Sequence, residues 1–199
     1  MRRHLILFVR ASALGRGKRR LARAIGDVAA LHFERLMIAR LLRRLAGDRR
    51  WRLRMAVTPD RACGTVRSRH YGIEVCPQGE GDLGARMRRA IAAAPPGAVV
   101  LIGSDIPSIN AGHIAAAFRL LGKCDLVFGP AADGGFWLIG ARRRPRLPLL
   151  FGRVRWSTPH ALADTLAGLP RGLAIGFVDT LEDVDDGGAY HRLRPLRGF

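Results

Sequence analysis

Five stretches of the chain carry side chains whose type and spacing could do chemistry. Arg10-Ala-Ser-Ala-Leu-Gly15-Arg-Gly17-Lys18-Arg19-Arg20 leaves an apolar run and enters a helical one. A glycine-rich turn there would expose backbone N–H groups at a helix start. Lys18 and Arg20 add cationic donors, and with Arg10 and Gly15 they would make a cradle for phosphate. The P-loop pattern needs Gly at 12 and Ser or Thr at 19; Ser12 and Arg19 stand there instead, which excludes that motif. The plainer alternative is a solvated basic turn. Leu101-Ile-Gly-Ser-Asp105-Ile-Pro107 puts an acid just past a second apolar run, where Asp105 could hold a metal ion or simply shape a turn. In Phe128-Gly-Pro-Ala-Ala-Asp133-Gly134-Gly135-Phe136-Trp137 the Asp-Gly-Gly unit permits close backbone approach, and the aromatics could wall a pocket. A hairpin turn would use the same residues.

Two more stretches stand out. Gln78-Gly79-Glu-Gly-Asp82-Leu-Gly84-Ala-Arg86 precedes a helix and holds more glycine than a cap needs. Asp179, Glu182, Asp183, Asp185 and Asp186 gather five of the 16 acids into eight positions. Like charges about 4 Å apart repel by roughly 4 kcal/mol at an effective dielectric of 20, so such a cluster needs either a cation or screening water.

The elements that must position these loops follow from periodicity. Leu5–Val9, residues 51–57, Ile73–Val75, Val99–Ile102, Leu126–Phe128 and Leu173–Val178 read as strands, with Phe136–Ile139 pairing at an edge. Leu31 to Leu45, Asp82–Ala94, Ala111–Leu121 and Pro159–Leu169 read as helices, with Arg35, Arg40, Arg43 and Arg44 on the outer face of the first. Strand–helix alternation predicts an α/β fold, a largely parallel sheet with helices on both faces. Ligands then bind at the carboxyl ends of the strands, where the informative loops lie. The Arg/Pro stretch 142–148 reads as a mobile loop.

Length and charge bound the function. At 199 residues the chain reads as one domain, 1–199, with enough length to bury a core unaided. The net charge is +18, and 32 of the 34 basic residues are arginine; residues 1–54 hold 16 basic residues against Asp27, Glu34 and Asp48. Such a half could serve nucleic acid, a membrane surface or a phosphorylated small molecule. Aromatics do not interleave with the basic runs as stacking platforms would, which speaks against nucleic acid. Three cysteines without C-x-x-C spacing indicate neither a disulfide framework nor a zinc site, and a reducing cytoplasm fits best. Arg10 cuts the first apolar run short of a secretory signal, and Pro95-Pro96 splits the best membrane-span candidate.

Taken in order, the loops resemble the bacterial glycosyltransferase-like group DUF2064 of the GT-A, nucleotide-diphospho-sugar transferase superfamily. Its blocks F-A-K-x-P-x-x-G-x-x-K-T-R-L, Q-G-x-G-D-L-G-x-R-M, G-x-D-x-P, G-P-x-x-D-G-G-Y-x-L-I-G, W-S-T and D-V-D-T-P-E-D correspond to Phe8–Leu21, Gln78–Met87, Gly103–Pro107, Gly129–Gly140, Trp156–Thr158 and Asp183–Asp185. The family's prolines are Ser12 and Leu14 here, its threonine is Arg19, and the acidic block continues as Asp186-Gly-Gly-Ala.

The resemblance implies a Rossmann-like three-layer α/β/α fold that binds an activated nucleotide. It implies phosphate contacts from Lys18 and Arg20, and a base-facing region at Gln78, Gly79 and Asp82. Asp105 would be a metal ligand joined by Asp185, with Mg²⁺ or Mn²⁺ as the cofactor. Asp133, Gly134, Gly135, Trp156, Ser157 and Thr158 would line the acceptor side, with Asp105, Asp133 and Lys18 catalytic. The expected function is metal-dependent transfer from a nucleotide-activated donor to a small-molecule acceptor, first as a nucleotide-sugar glycosyltransferase. The alternative is nucleotidyl transfer with release of pyrophosphate, and more distantly a non-catalytic nucleotide- or nucleic-acid-binding module.

Overall fold

A computed structural model describes residues 2–64, 72–143, 147 and 150–193. Seven strands form one sheet: β1 (Arg3–Arg10), β2 (Arg52–Thr58), β3 (Glu74–Pro77), β4 (Gly97–Ile102), β5 (Leu126–Pro130), β6 (Phe136–Arg143) and β7 (Ile175–Phe177). The helices are α1 (Arg19–Ile25), α2 (Asp27–Leu45), α3 (Leu83–Ala93), α4 (Ala111–Leu120), α5 (Ala161–Ala167) and α6 (Gly187–Leu193). The sheet order is β3-β2-β1-β4-β6-β5-β7, and every neighbouring pair is parallel except those that β6 makes.

The expectation for Phe136–Ile139 is corrected here. This segment belongs to an inner strand, antiparallel to both β4 and β5, and not to an edge. Its apolar content explains the placement, since Leu138, Ile139 and Ala141 are all fully buried. An edge would leave one side of such a strand without partners for its backbone.

The inner strands are buried on both faces, which is why they read as unbroken apolar runs. Leu5, Leu7, Val9, Met55, Val57, Val100 and Ile102 pack beneath Leu41, Leu42 and Leu45 of α2 and Ile114 and Phe118 of α4. Ile6, Ala56, Val99, Leu101, Phe128 and Ile139 face the other way, against Met87, Ala90 and Ile91 of α3 and Leu162 and Leu166 of α5. A third cluster joins Leu21 of α1, Ala30, Phe33 and Met37 of α2, and the buried Val184, with Tyr190 of α6 packed alongside. This small core seats the acidic C-terminal segment against the loop after β1.

Arg44 also departs from its expected place on an outer helix face. Its guanidinium turns inward to donate to the Pro107 and Ile109 carbonyls, at 2.8 and 3.0 Å, and so clamps the loop after β4. In the Arg/Pro stretch, Arg142 and Arg143 end β6 and Leu147 packs on the second core. The rest of that stretch lies outside the described residues.

Candidate active site

The chain runs β1, β2, β3 outward and then returns to place β4 on the other side of β1. The crevice past the carboxyl ends of β1 and β4 is therefore the point where strand order reverses, the usual ligand site of such sheets. Lys18 lies beyond β1 and Asp105 beyond β4. They are 87 residues apart, yet the Lys18 Nζ donates to Asp105 Oδ2 at 3.3 Å. The same ammonium also donates to Asp185 Oδ1.

Asp185 arrives through Val184. In an extended Asp-Val-Asp segment alternate side chains share a face. Val184 is fully buried in the third core, and its N–H donates to the Asp105 carbonyl at 3.2 Å. One carboxylate oxygen from each of Asp105, Asp183 and Asp185 falls within 4.8 Å of the others. Burial pushes the Asp183 carboxyl up to about 7, and repulsion from Asp185, Asp105 and Asp133 adds to it, with Lys18 opposing. For Lys18 burial works against the charge, but Asp105 and Asp185 outweigh it and raise the ammonium above its ordinary value. Among the described residues, Lys18 is the cation ion-paired with this set. An all-oxygen set of this kind suits Mg²⁺ or Mn²⁺.

Asp105 borders three connected hollows. One of about 480 Å³ is walled by Phe136, Trp137 and Trp156, and takes in Asp133, Ser157, Thr158 and Arg20. A second, of about 430 Å³, lies between Lys18, Arg10, Ser104 and the Phe33–Glu34–Met37 face of α2. The third, of about 300 Å³, runs toward Thr58, Gln78 and Arg86. Phe136 and Phe151 both meet Trp156 edge-on, at centroid distances of 6.2 and 5.6 Å, so the aromatic wall is a packed unit.

The structure thus brings together Lys18, Asp105, Asp185, Arg10 and Ser157, and around the aromatic hollow Asp133, Gly135, Trp156, Ser157, Thr158 and Arg20. Arg20 faces this second group and not the hollow of Arg10 and Lys18. Asp133 Oδ1 accepts the Gly135 N–H at 2.9 Å, and Gly134, at φ +86°, lies under the Pro159 backbone. Thr158 donates its hydroxyl to the Arg155 carbonyl at 2.7 Å, and Arg155 is itself held by Asp164.

Other expected residues have structural partners. Gly15 turns at φ +70° and lines a neighbouring hollow with Arg19, Arg23 and Asp27, which Gly17, Lys18 and Glu34 also border. Asp82 caps α3, accepting the Ala85 N–H at 2.7 Å. Gly79 donates its N–H to Asp60, and the Arg89 guanidinium covers it. Gln78 is a buried strut. Its amide nitrogen donates to the Val9 and Ala56 carbonyls, both at 2.9 Å, and its oxygen accepts from Arg86 at 3.0 Å. Gln78→Ala would remove both amide hydrogen bonds, one to β1 and one to β2, and leave a buried gap in their place, at a cost of about 3 kcal/mol. Thermal unfolding should show a fall in Tm of roughly 6–12 °C; an unchanged Tm would refute the strut.

Sequence reasoning left Asp183 and Glu34 without a role. The Asp-x-Asp alternation was the signal for Asp183. Nothing local marks Glu34, whose contact with the loop after β1 is made across the fold.

The fold and the carboxyl-end site define an α/β protein with the architecture of the nucleotide-diphospho-sugar transferases. Residues 41–158 match the family described as an uncharacterized protein conserved in bacteria (DUF2064), and the chain belongs to that family. It is similar to a protein of Desulfovibrio desulfuricans G20 provisionally described as a nucleotide-diphospho-sugar transferase. The identity is 28%, the TM-score 0.85, and the match covers 94% of this chain and 84% of that one. It shares its fold with a CMP:2-keto-3-deoxy-manno-octonic acid synthetase complexed with CTP, at 14% identity, TM-score 0.62 and 98% coverage of each chain. A glucosyl-3-phosphoglycerate synthase of Mycobacterium tuberculosis, complexed with Mn²⁺, UDP and glucosyl-3-phosphoglycerate, matches at 17% identity and TM-score 0.56, over 92% of this chain and 70% of that one. No curated protein matches the chain.

Proposed function

We propose that the protein is a divalent-metal-dependent transferase acting on a nucleotide-activated donor, first of all a nucleotide sugar. The observation that carries this reading is the convergence of Lys18, Asp105, Asp183 and Asp185 where three hollows meet. Glycosyl transfer needs separate room for nucleoside, sugar and acceptor around one charged centre, and three hollows supply it.

Asp105, Asp183 and Asp185 would hold the cation, which when bound supplies Lewis-acid charge to donor phosphate oxygens. Lys18 places its ammonium against the same centre and would neutralise charge on the departing phosphate. Asp133 keeps one carboxylate oxygen on the Gly135 amide and has the other for the proton of an acceptor hydroxyl. Phe136, Trp137 and Trp156 would exclude water from that hydroxyl. Nucleotidyl transfer is the second reading, favoured by the end-to-end match to the CTP-bound synthetase.

A thermal-shift screen of nucleoside triphosphates and nucleotide sugars, with Mn²⁺ and with EDTA, tests the reading. At 100 times Kd a ligand stabilises by about 2.7 kcal/mol, roughly 5–10 °C for a chain of this length. Assays of released nucleoside diphosphate and of pyrophosphate then separate the two reactions. A protein that responds to no nucleotide in Mn²⁺, or binds RNA with a steep salt dependence instead, would overturn the assignment.

A further inference from the structure

In the loop after β1 the backbone N–H of Lys18, the residue that also carries the ammonium, is already occupied by a carboxylate. Glu34, from the middle of α2, reaches across so that its Oε1 accepts this N–H at 2.8 Å. The contact requires glycine at 17. A Cβ there would lie 2.6 Å from Glu34 Cδ and closer still to Oε1, so any side chain would evict the carboxylate. Among the described residues no arginine or lysine side chain is ion-paired with Glu34, although the chain carries +18. Glu34 also lines the hollow of Arg10, Lys18, Asp105 and Asp185. An acid there is in the place of an anion, not of a structural ion pair.

A phosphate oxygen and the Glu34 oxygen are both acceptors and both negative, so they cannot share the N–H. A free anion approaching Lys18 meets this carboxylate in addition to Asp105 and Asp185. A polyphosphate that carries its own divalent cation is far less repelled, and can satisfy Lys18 Nζ without needing the amide. We propose that Glu34 is a specificity-determining residue that bars free anions from the loop, so that the site accepts a polyphosphate only as its divalent-metal complex. This rests on the reading of the crevice as a polyphosphate site.

Inorganic pyrophosphate is the probe, titrated calorimetrically into the full chain in EDTA and in Mg²⁺. Three proteins are compared: the unaltered chain, Glu34→Ala, and Gly17→Ala, which removes the carboxylate from its seat without deleting it. The unaltered chain should bind pyrophosphate in Mg²⁺ and at least about 10-fold more weakly in EDTA. Either variant should tighten metal-free binding by about 10-fold or more, the worth of one charge-assisted hydrogen bond regained. Melting curves of both variants confirm that each is folded. If neither variant gains metal-free affinity, or if the loss of Glu34 weakens binding in both buffers, Glu34 merely anchors the loop and the proposal falls. Failure of the transferase reading registers separately, as absence of any nucleotide response in the unaltered chain with Mn²⁺.

Discussion

Replacing Asp105 by Asn should cut the affinity for nucleotide in Mn²⁺ by about 100-fold or more while leaving the protein folded. Even partners that only orient a metal ligand are worth about 10–100-fold in metal affinity, and a direct ligand is worth at least as much. Asn keeps the volume of Asp but gives up a full negative charge from a set of three oxygens within 4.8 Å. The fold should tolerate the change. Lys18 keeps Asp185 as a partner, and the tie from Val184 runs to the backbone carbonyl of residue 105, which Asn preserves. Removing one charge also relieves the repulsion that pushes Asp183 upward. Calorimetry of nucleotide binding in Mn²⁺, with a melting curve alongside, checks both halves. Unchanged Mn²⁺-dependent binding would take Asp105 out of the site.

Gly134→Ala should destabilise the fold by about 3 kcal/mol, with Tm lower by roughly 6–12 °C. The residue sits at φ +86°, a conformation that costs an L side chain about 1 kcal/mol or more. A Cβ would also lie 2.8 Å from the Pro159 Cα and C atoms and closer to the Pro159 oxygen. Backbone cannot rotate away as a side chain can, so the turn and the 156–160 segment must separate. The Leu162 N–H, which donates to the Gly134 carbonyl at 3.1 Å, would lose its partner as they part. Gly152→Ala is the internal control, because open space surrounds Gly152 and its φ is ordinary. It should change stability by less than about 0.5 kcal/mol. Equal melting temperatures for the two variants would contradict the interlock of the turn with the segment bearing Trp156.

Much of the α/β plan was legible before any coordinates. Strands buried on both faces announce themselves as apolar runs, so Leu5–Val9 and Val99–Ile102 could be found from hydropathy alone. The family blocks then named Lys18, Asp105, Asp133 and Trp156 as residues to watch, because glycine, acid and tryptophan at fixed intervals are a local signature. Gln78 shows the limit of that logic: its block was visible, but its amide is spent on the carbonyls of Val9 and Ala56, one on β1 and one on β2.

What local order could not supply was pairing across the sheet. An apolar run such as Phe136–Ile139 reads the same at an edge or between two strands, since strand order depends on which long-range pairs win. Arg44 looked like solvent-facing charge because helical period says which side of α2 it is on, not that Pro107 and Ile109 lie beneath it. Asp183 joined Asp105 only because Val184 is drawn into a core built from α1 and α2. Glu34 reached Lys18 only because Gly17 lacks a side chain at the point of approach. Composition and periodicity report burial and local geometry, which are properties of neighbouring residues. A charge cluster assembled from residues 18, 105, 183 and 185 is a property of the folded packing, and no window along the chain contains it.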